Sequence, residues 1–132
     1  MQCEVPIREE RDVVLARLAV REAASTLGFN PSDTTRIVTA VSELARNLFE
    51  YAGRGVMRVI SLQEDGRQGI EVVFEDQGPG IIDLDQAMLE GFSTGGGCGL
   101  GLPGARRLMD EMEVQSTRAN GTTISMKKWR SD

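Results

Sequence analysis

The spacing of hydrophobic residues changes along the chain, and each change marks an element. Cys3, Val5 and Ile7 alternate with their neighbours, which predicts a short strand over 2–7. Val13, Ala16, Val20, Ala23 and Leu27 then recur at three- and four-residue steps, the spacing of one face of an amphipathic helix. Gly28 follows where a helix needs a left-handed terminating residue. Asn30-Pro31-Ser32-Asp33 starts a second helix: the Asn side chain can accept from a free backbone N–H, and Pro lacks a donor that the first turn cannot use. This helix is predicted to run to about Tyr51, with Ile37, Ala40, Val41, Leu44 and Leu48 as its inner stripe. Gly53 and Gly55 are expected to end it.

Beyond the glycines the period falls to two. Val56–Glu64 and Gln68–Asp76 predict two strands joined by a turn at Asp65-Gly66-Arg67. The second places Ile70, Val72 and Phe74 on one face and Glu71 and Glu75 on the other. Asp83–Glu90 predicts a short helix, and Pro103–Glu111 another with Leu108 and Met112 inward. Glu113–Thr117 and Thr122–Trp129 predict a last hairpin around Asn120-Gly121. No repeat or linker interrupts the pattern, so residues 1–132 are read as one domain. Helices and hairpins segregate along the chain, which predicts an α+β sandwich: a mixed, mostly antiparallel sheet with helices on one face.

Composition narrows the function classes. The 132 residues are enough for a hydrophobic core. Lysine plus arginine number 15 against 20 acids, a net charge of −5 without a basic run, which argues against nucleic acid as a partner. No apolar run approaches the roughly 20 residues of a membrane span. The opening MQCEVPIREERD has no apolar signal segment, so a cytoplasmic location is expected. Cys3 and Cys98 form no ligand cluster and are read as a reduced pair. Cys98 lies in a glycine-rich loop, where a redox role stands beside a simple need for a small side chain. The chain has no histidine, which removes Ser-His-Asp and Cys-His catalysis and histidine-bound zinc.

The chemistry concentrates between Glu75 and Leu102. Asp76 closes an apolar strand and is followed by Gly78 and Gly80; Gly95, Gly96, Gly97, Gly99 and Gly101 come later and run into Leu102-Pro103 and a helix. Glycine lets backbone approach a ligand closely, and a helix start offers free N–H groups to phosphate. The stretch is therefore read as a nucleotide site, with the acidic turn on the base and the glycine loop on the phosphates. Gly99, Gly101 and Gly104 match the letters G-x-G-x-x-G, but no strand precedes them, so a dinucleotide fold is not indicated. No P-loop motif occurs.

Upstream, Glu43 and Asn47 stand four residues apart on one helix face. An Asn oxygen can serve magnesium and a carboxylate can receive a hydroxyl proton; alone, both are ordinary solvated side chains. Asp76 fits either an adenine amino group or a turn cap, and Thr122 either a water-bridged base contact or a plain strand start. Arg106 and Arg107 fit a phosphate, a partner or a solvated face.

Together these pieces resemble a known family. Glu43-Leu44-Ala45-Arg46-Asn47 is similar to the N box of the GHKL ATPases, Asp76-Gln77-Gly78-Pro79-Gly80 to their G1 box, and Gly97–Leu102 to their G2 box, with Gly121-Thr122 as the late G-T. The stretches SELARN, EDQGPGI and GLPG-RRLMDE further resemble the switch serine kinases of bacterial stressosomes. The resemblance implies a Bergerat-type fold, ATP and Mg²⁺, and transfer of the γ-phosphoryl to a serine or threonine of a STAS-domain partner. It also implies that the free kinase binds and activates a PP2C-type phosphatase regulator. Carried onto this chain, Glu43 becomes the catalytic base, Asn47 the Mg²⁺ ligand, and Asp76 the adenine acceptor supported through water by Thr122. Gly78 and Gly80 let the turn approach the ring. Gly97, Gly99, Leu100, Gly101 and the Leu102 amide line the phosphates, and residues 81–98 form the lid. Leu100 stands where close relatives can have alanine. Two other readings are an ATP-gated docking module without chemistry and a direct sigma-factor antagonist.

Overall fold

The computed structural model describes residues 2–76, 102–117 and 121–131. In chain order the elements are β1 (Gln2–Ile7), α1 (Arg11–Thr26), α2 (Pro31–Ala52), β2 (Gly55–Glu64), β3 (Arg67–Asp76), α3 (Leu102–Leu108), β4 (Glu111–Thr117) and β5 (Gly121–Trp129). The strands form one sheet in the order β1-β2-β3-β5-β4. A mixed sheet is expected from sequence; among the described residues every neighbouring pair is antiparallel. The expected helix over 83–90, Asn120 and both glycine clusters lie outside the described residues.

Local chemistry sets most boundaries. Gly28 takes φ +86°. There its N–H reaches the Ser25 carbonyl at 3.1 Å while Phe29 N–H reaches that of Ala24 at 3.0 Å, the paired bonds of a Schellman ending. Buried Phe29 anchors that ending against the core. Asn30 then caps α2, its Oδ1 accepting from Asp33 N–H at 2.7 Å. At the start of α1, Asp12 accepts from the Arg8 and Glu9 amides at 2.9 and 3.0 Å, and those two bonds hold its carboxyl below the usual range. Asp65 and Gly66 both have positive φ, so they make a two-residue loop whose twist suits the flanking strands. Arg67 consequently belongs to β3, facing Glu64, and not to the turn.

The core lies between the sheet and the helices. α1 contributes Val13, Ala16, Val20 and Ala23, and α2 contributes Ile37, Ala40, Val41, Leu44 and Leu48. They meet Met57, Val59, Ile70, Val72, Phe74 and Met126 on the inner face of the sheet. The alternation expected of β3 is present, with Ile70, Val72 and Phe74 all buried.

Two boundaries differ from expectation. Gly55 does not end α2; Gly53 does, with φ +81° and its N–H on Phe49 O, and Gly55 opens β2. A Cβ at Gly55 would lie 2.3 Å from the Glu75 carbonyl and 2.8 Å from Leu48 Cδ1, so only glycine lets α2 descend onto the sheet here. The helix predicted to Glu111 stops at Leu108. The reason is non-local: Asp110 N–H donates to Lys127 O at 2.9 Å and draws the chain into the sheet. Met112 therefore lies on β4 opposite Met126, not on the helix.

At the far end of the sheet, Arg130 N–H donates to Gln68 O at 2.8 Å and its guanidinium to Leu27 O at 3.2 Å. This ties the β2–β3 hairpin to the corner between α1 and α2.

Three substitutions check this account. Asn30→Ala is expected to lower the unfolding free energy by about 1 kcal/mol in urea titrations, the usual worth of a lost cap. Gly55→Ala is expected to lower it by about 1–3 kcal/mol through overpacking. By contrast Gly104→Ala, where nothing lies within 4 Å of the new methyl, should raise stability by about 0.5–1 kcal/mol.

Candidate nucleotide site

The contact between Leu48 and Gly55 fixes where the site residues fall. Leu48 closes on the first residue of β2, so the turn of α2 that carries Asn47 sits over that end of the sheet. Gly55 faces Asp76 across the β2–β3 ladder, and Asp76 faces Thr122 across the β3–β5 ladder. One transverse row thus runs from Ile7 through Gly55 and Asp76 to Thr122 and Ser116. Asp76 and Thr122, far apart in sequence, are direct cross-strand neighbours.

Strand alternation decides which way the acids at the end of β3 point. Asp76 shares parity with Phe74 and Val72, which face the helices. Glu75 goes to the outer face, where Arg58 meets its carboxylate at 3.1 Å and that of Glu4 at 3.0 Å. The hydrogen bond to Glu75 raises the Arg58 pKa above its ordinary value, against the desolvation that lowers it. Asp76 is therefore on the same side as α2, and Thr122 beside it is buried with only 6% exposure.

On α2, Glu43 and Asn47 flank the buried stripe of Leu44 and Leu48, one turn apart and half-buried. Glu43 meets Arg46 at 3.8 Å with both side chains about half exposed. Such an exposed pair is weak in water. Asn47, Asp76 and Thr122 each make further polar or electrostatic contacts. Leu102, at the start of α3, is buried beside Ala105 where α3 packs against α2. Arg106 and Arg107 are exposed.

The structure makes Asp76 and Thr122 cross-strand neighbours beside Gly55, which Leu48 of α2 approaches; Glu43 and Asn47 lie on that helix, and Leu102 opens the helix packed against it. Gly78, Gly80, Gly97, Gly99, Leu100, Gly101, Cys98 and the predicted lid at 81–98 lie outside the described residues. Among the described residues no group of three or more Asp, Glu, Cys or His side chains is placed to hold a metal. The available donor set, one carboxamide with a carboxylate one turn away, suits magnesium, which keeps water and phosphate oxygens as most of its ligands. Sequence reasoning missed Gly55 as part of this site. Its signal was a glycine directly ahead of an alternating run, one residue beyond the helix-ending Gly53.

Comparison with known proteins shows the family. The Histidine kinase-like ATPase domain family matches residues 6–128. The chain is 48% identical over 125 residues to serine/threonine-protein kinase RsbT of Bacillus subtilis, covering 95% of this chain and 94% of that protein. It is 35% identical over 120 residues to an anti-sigma F factor of Clostridium novyi, covering 86% and 82%. Among solved structures, the RsbU and RsbW domains of a Mycobacterium tuberculosis protein align with TM-score 0.68 at 20% identity, a likeness of fold. That alignment spans 99% of this chain and 33% of the other. The chain belongs to the histidine kinase-like, or GHKL, ATPase domain family.

Proposed function

We propose that this chain is an ATP-dependent protein serine/threonine kinase that phosphorylates a serine or threonine of a STAS-domain partner and, once released, engages a PP2C-type phosphatase regulator. One observation carries the reading: 48% identity to a serine/threonine-protein kinase across nearly the whole of both chains. The arrangement of Glu43, Asn47, Asp76 and Thr122 supports the chemistry this requires. On this reading residues 1–132 form one kinase domain that works in the cytoplasm. No helix among the described residues is long and apolar enough to cross a membrane.

Asp76 accepts from the adenine amino group, and Thr122 on the adjoining strand supports the base through water. Gly78 and Gly80 let the backbone lie against the ring. Gly97, Gly99, Leu100 and Gly101, with the Leu102 amide, receive the phosphates. Asn47 offers the protein oxygen for a magnesium ion, which when bound neutralises charge among the phosphate oxygens. Glu43 takes the proton of the partner hydroxyl as that oxygen attacks the γ-phosphorus, and the bond from that phosphorus to the β-phosphate oxygen breaks to release ADP. Phosphoryl transfer asks mainly for position and charge, and α2 supplies both because Glu43 and Asn47 share one face.

Relatives such as the anti-sigma F factors favour a second reading, direct binding of a sigma factor. The higher identity to the kinase places it second. A third reading is an ATP-ordered docking module without transfer. Labelled ATP separates all three: label on a STAS-domain serine or threonine supports the kinase, and a stable complex without label the docking module. Recovery of a sigma factor in place of a STAS protein supports the antagonist.

Three outcomes test the assigned roles. Glu43→Gln is expected to keep ATP affinity and to slow transfer by about 10²–10⁴-fold in single-turnover assays. A normal rate in that variant removes the base from the scheme. Asp76→Ala is expected to weaken ADP binding by about 10–100-fold in calorimetry, the range of one charge-assisted hydrogen bond. The wild type should prefer ATP to GTP, because guanine presents a carbonyl where adenine presents its amino donor.

A further inference from the structure

The outward faces of the two long helices differ in kind. On α2 the exposed positions include Ser32, Thr35, Arg36, Thr39, Arg46 and Glu50, a surface suited to water. On α1 they include Val14, Leu15 and Leu18, which are 51%, 50% and 56% exposed. Among the described residues these are the only large hydrophobic side chains so exposed. They are not surplus core, because α1 buries its opposite side through Val13, Ala16, Val20, Ala23 and Ala24. Val14 and Leu18 are one turn apart and Leu15 lies beside them, so they form one stripe. Single exposed apolar residues need no explanation, whereas a contiguous stripe marks a contact surface.

Charge is arranged about that stripe unevenly. Arg17 and Arg21 follow one flank, one turn apart, and neither makes an ion pair among the described residues. Glu22 stands one turn beyond Leu18, at the C-terminal end of the stripe and exposed. The chain as a whole carries −5, so two unpaired arginines beside an apolar stripe are a local reversal of sign.

We propose that the outer face of α1 docks an amphipathic helix of a protein partner, whose apolar stripe covers Val14, Leu15 and Leu18 and whose carboxylates line the Arg17–Arg21 flank. Helices meet in this way through residues at three- and four-residue spacing. Carboxylates set against Glu22 are repelled, so the partner's acidic row is favoured only along the arginines. A second copy of this face brings two arginines and one glutamate, a poorer complement than a carboxylate row. An anionic membrane attracts the arginines but repels the net charge of the chain. The surface lies on α1, separate from Glu43 and Asn47, and the inference does not depend on the nucleotide reading.

The test uses the full chain and two labelled helical peptides of about 18 residues, long enough to form a helix. Both carry leucines at three- and four-residue steps; one has glutamates along one flank, the other lysines. In fluorescence anisotropy the wild type is expected to bind the glutamate peptide at least about tenfold more tightly than the lysine peptide. Leu18→Ser should weaken that binding by about tenfold or more. The double variant Arg17→Glu/Arg21→Glu should reverse the preference in favour of the lysine peptide. Unchanged thermal melting by circular dichroism shows that both variants are folded. The proposal is overturned if the charge-reversed variant keeps the original preference or if Leu18→Ser binds as well as wild type. It is equally overturned if sedimentation shows a wild-type dimer that Leu18→Ser dissociates, which gives the face to a second copy.

Discussion

The candidate site depends on how closely α2 can lie against the sheet. A helix normally rests on a sheet at the height of its side chains. At Gly55 the sheet has none, and Leu48 drops to within contact of the strand backbone. That single missing Cβ sets the height of the turn carrying Asn47 above the row that holds Asp76 and Thr122. The polar residues of the site are thus positioned by an apolar contact. Packing of this kind is stiff because protein interiors are dense and side chains occupy defined rotamers.

The division of labour between the sheet faces follows from alternation along β3. Two successive acids end that strand, and their fates diverge because neighbours point opposite ways. Glu75 is held on the outside by Arg58, while Asp76 faces the helices. A shift of one residue in the β2–β3 register exchanges them, and the short loop at Asp65-Gly66 prevents it. A turn at one end of the hairpin therefore decides which carboxylate reaches the site at the other.

The features legible in the sequence were those with local causes. Gly28 and Asn30 fix the α1–α2 corner through bonds to residues within five positions, and their types state their roles. The β2–β3 turn is equally local. The features that sequence reading missed have distant causes. α3 ends early because Asp110 finds Lys127 on another strand, and Met112 moves to β4 with it. Gly55 looked like punctuation because its partners, Leu48 and the Glu75 carbonyl, come from other elements. The candidate residues Glu43, Asn47, Asp76 and Thr122 were proposed by type and order. The pairing of Asp76 with Thr122 required the strand order, which no local pattern encodes. The stripe of Val14, Leu15 and Leu18 was passed over because periodicity draws attention to the buried face of a helix.

The placing of β5 has a consequence for synthesis on the ribosome. β5 lies between β3 and β4, and β4 joins the sheet only through it. A nascent chain that has emerged as far as Thr117 therefore holds a strand with nothing to pair against. It also exposes the edge of β3 where Thr122 has yet to arrive. The sheet closes, and the end bearing Asp76 becomes whole, only when β5 adds to the edge of β3 and brings β4 in with it. Until then that open edge is the natural target for a chaperone or for mispairing with a neighbouring chain.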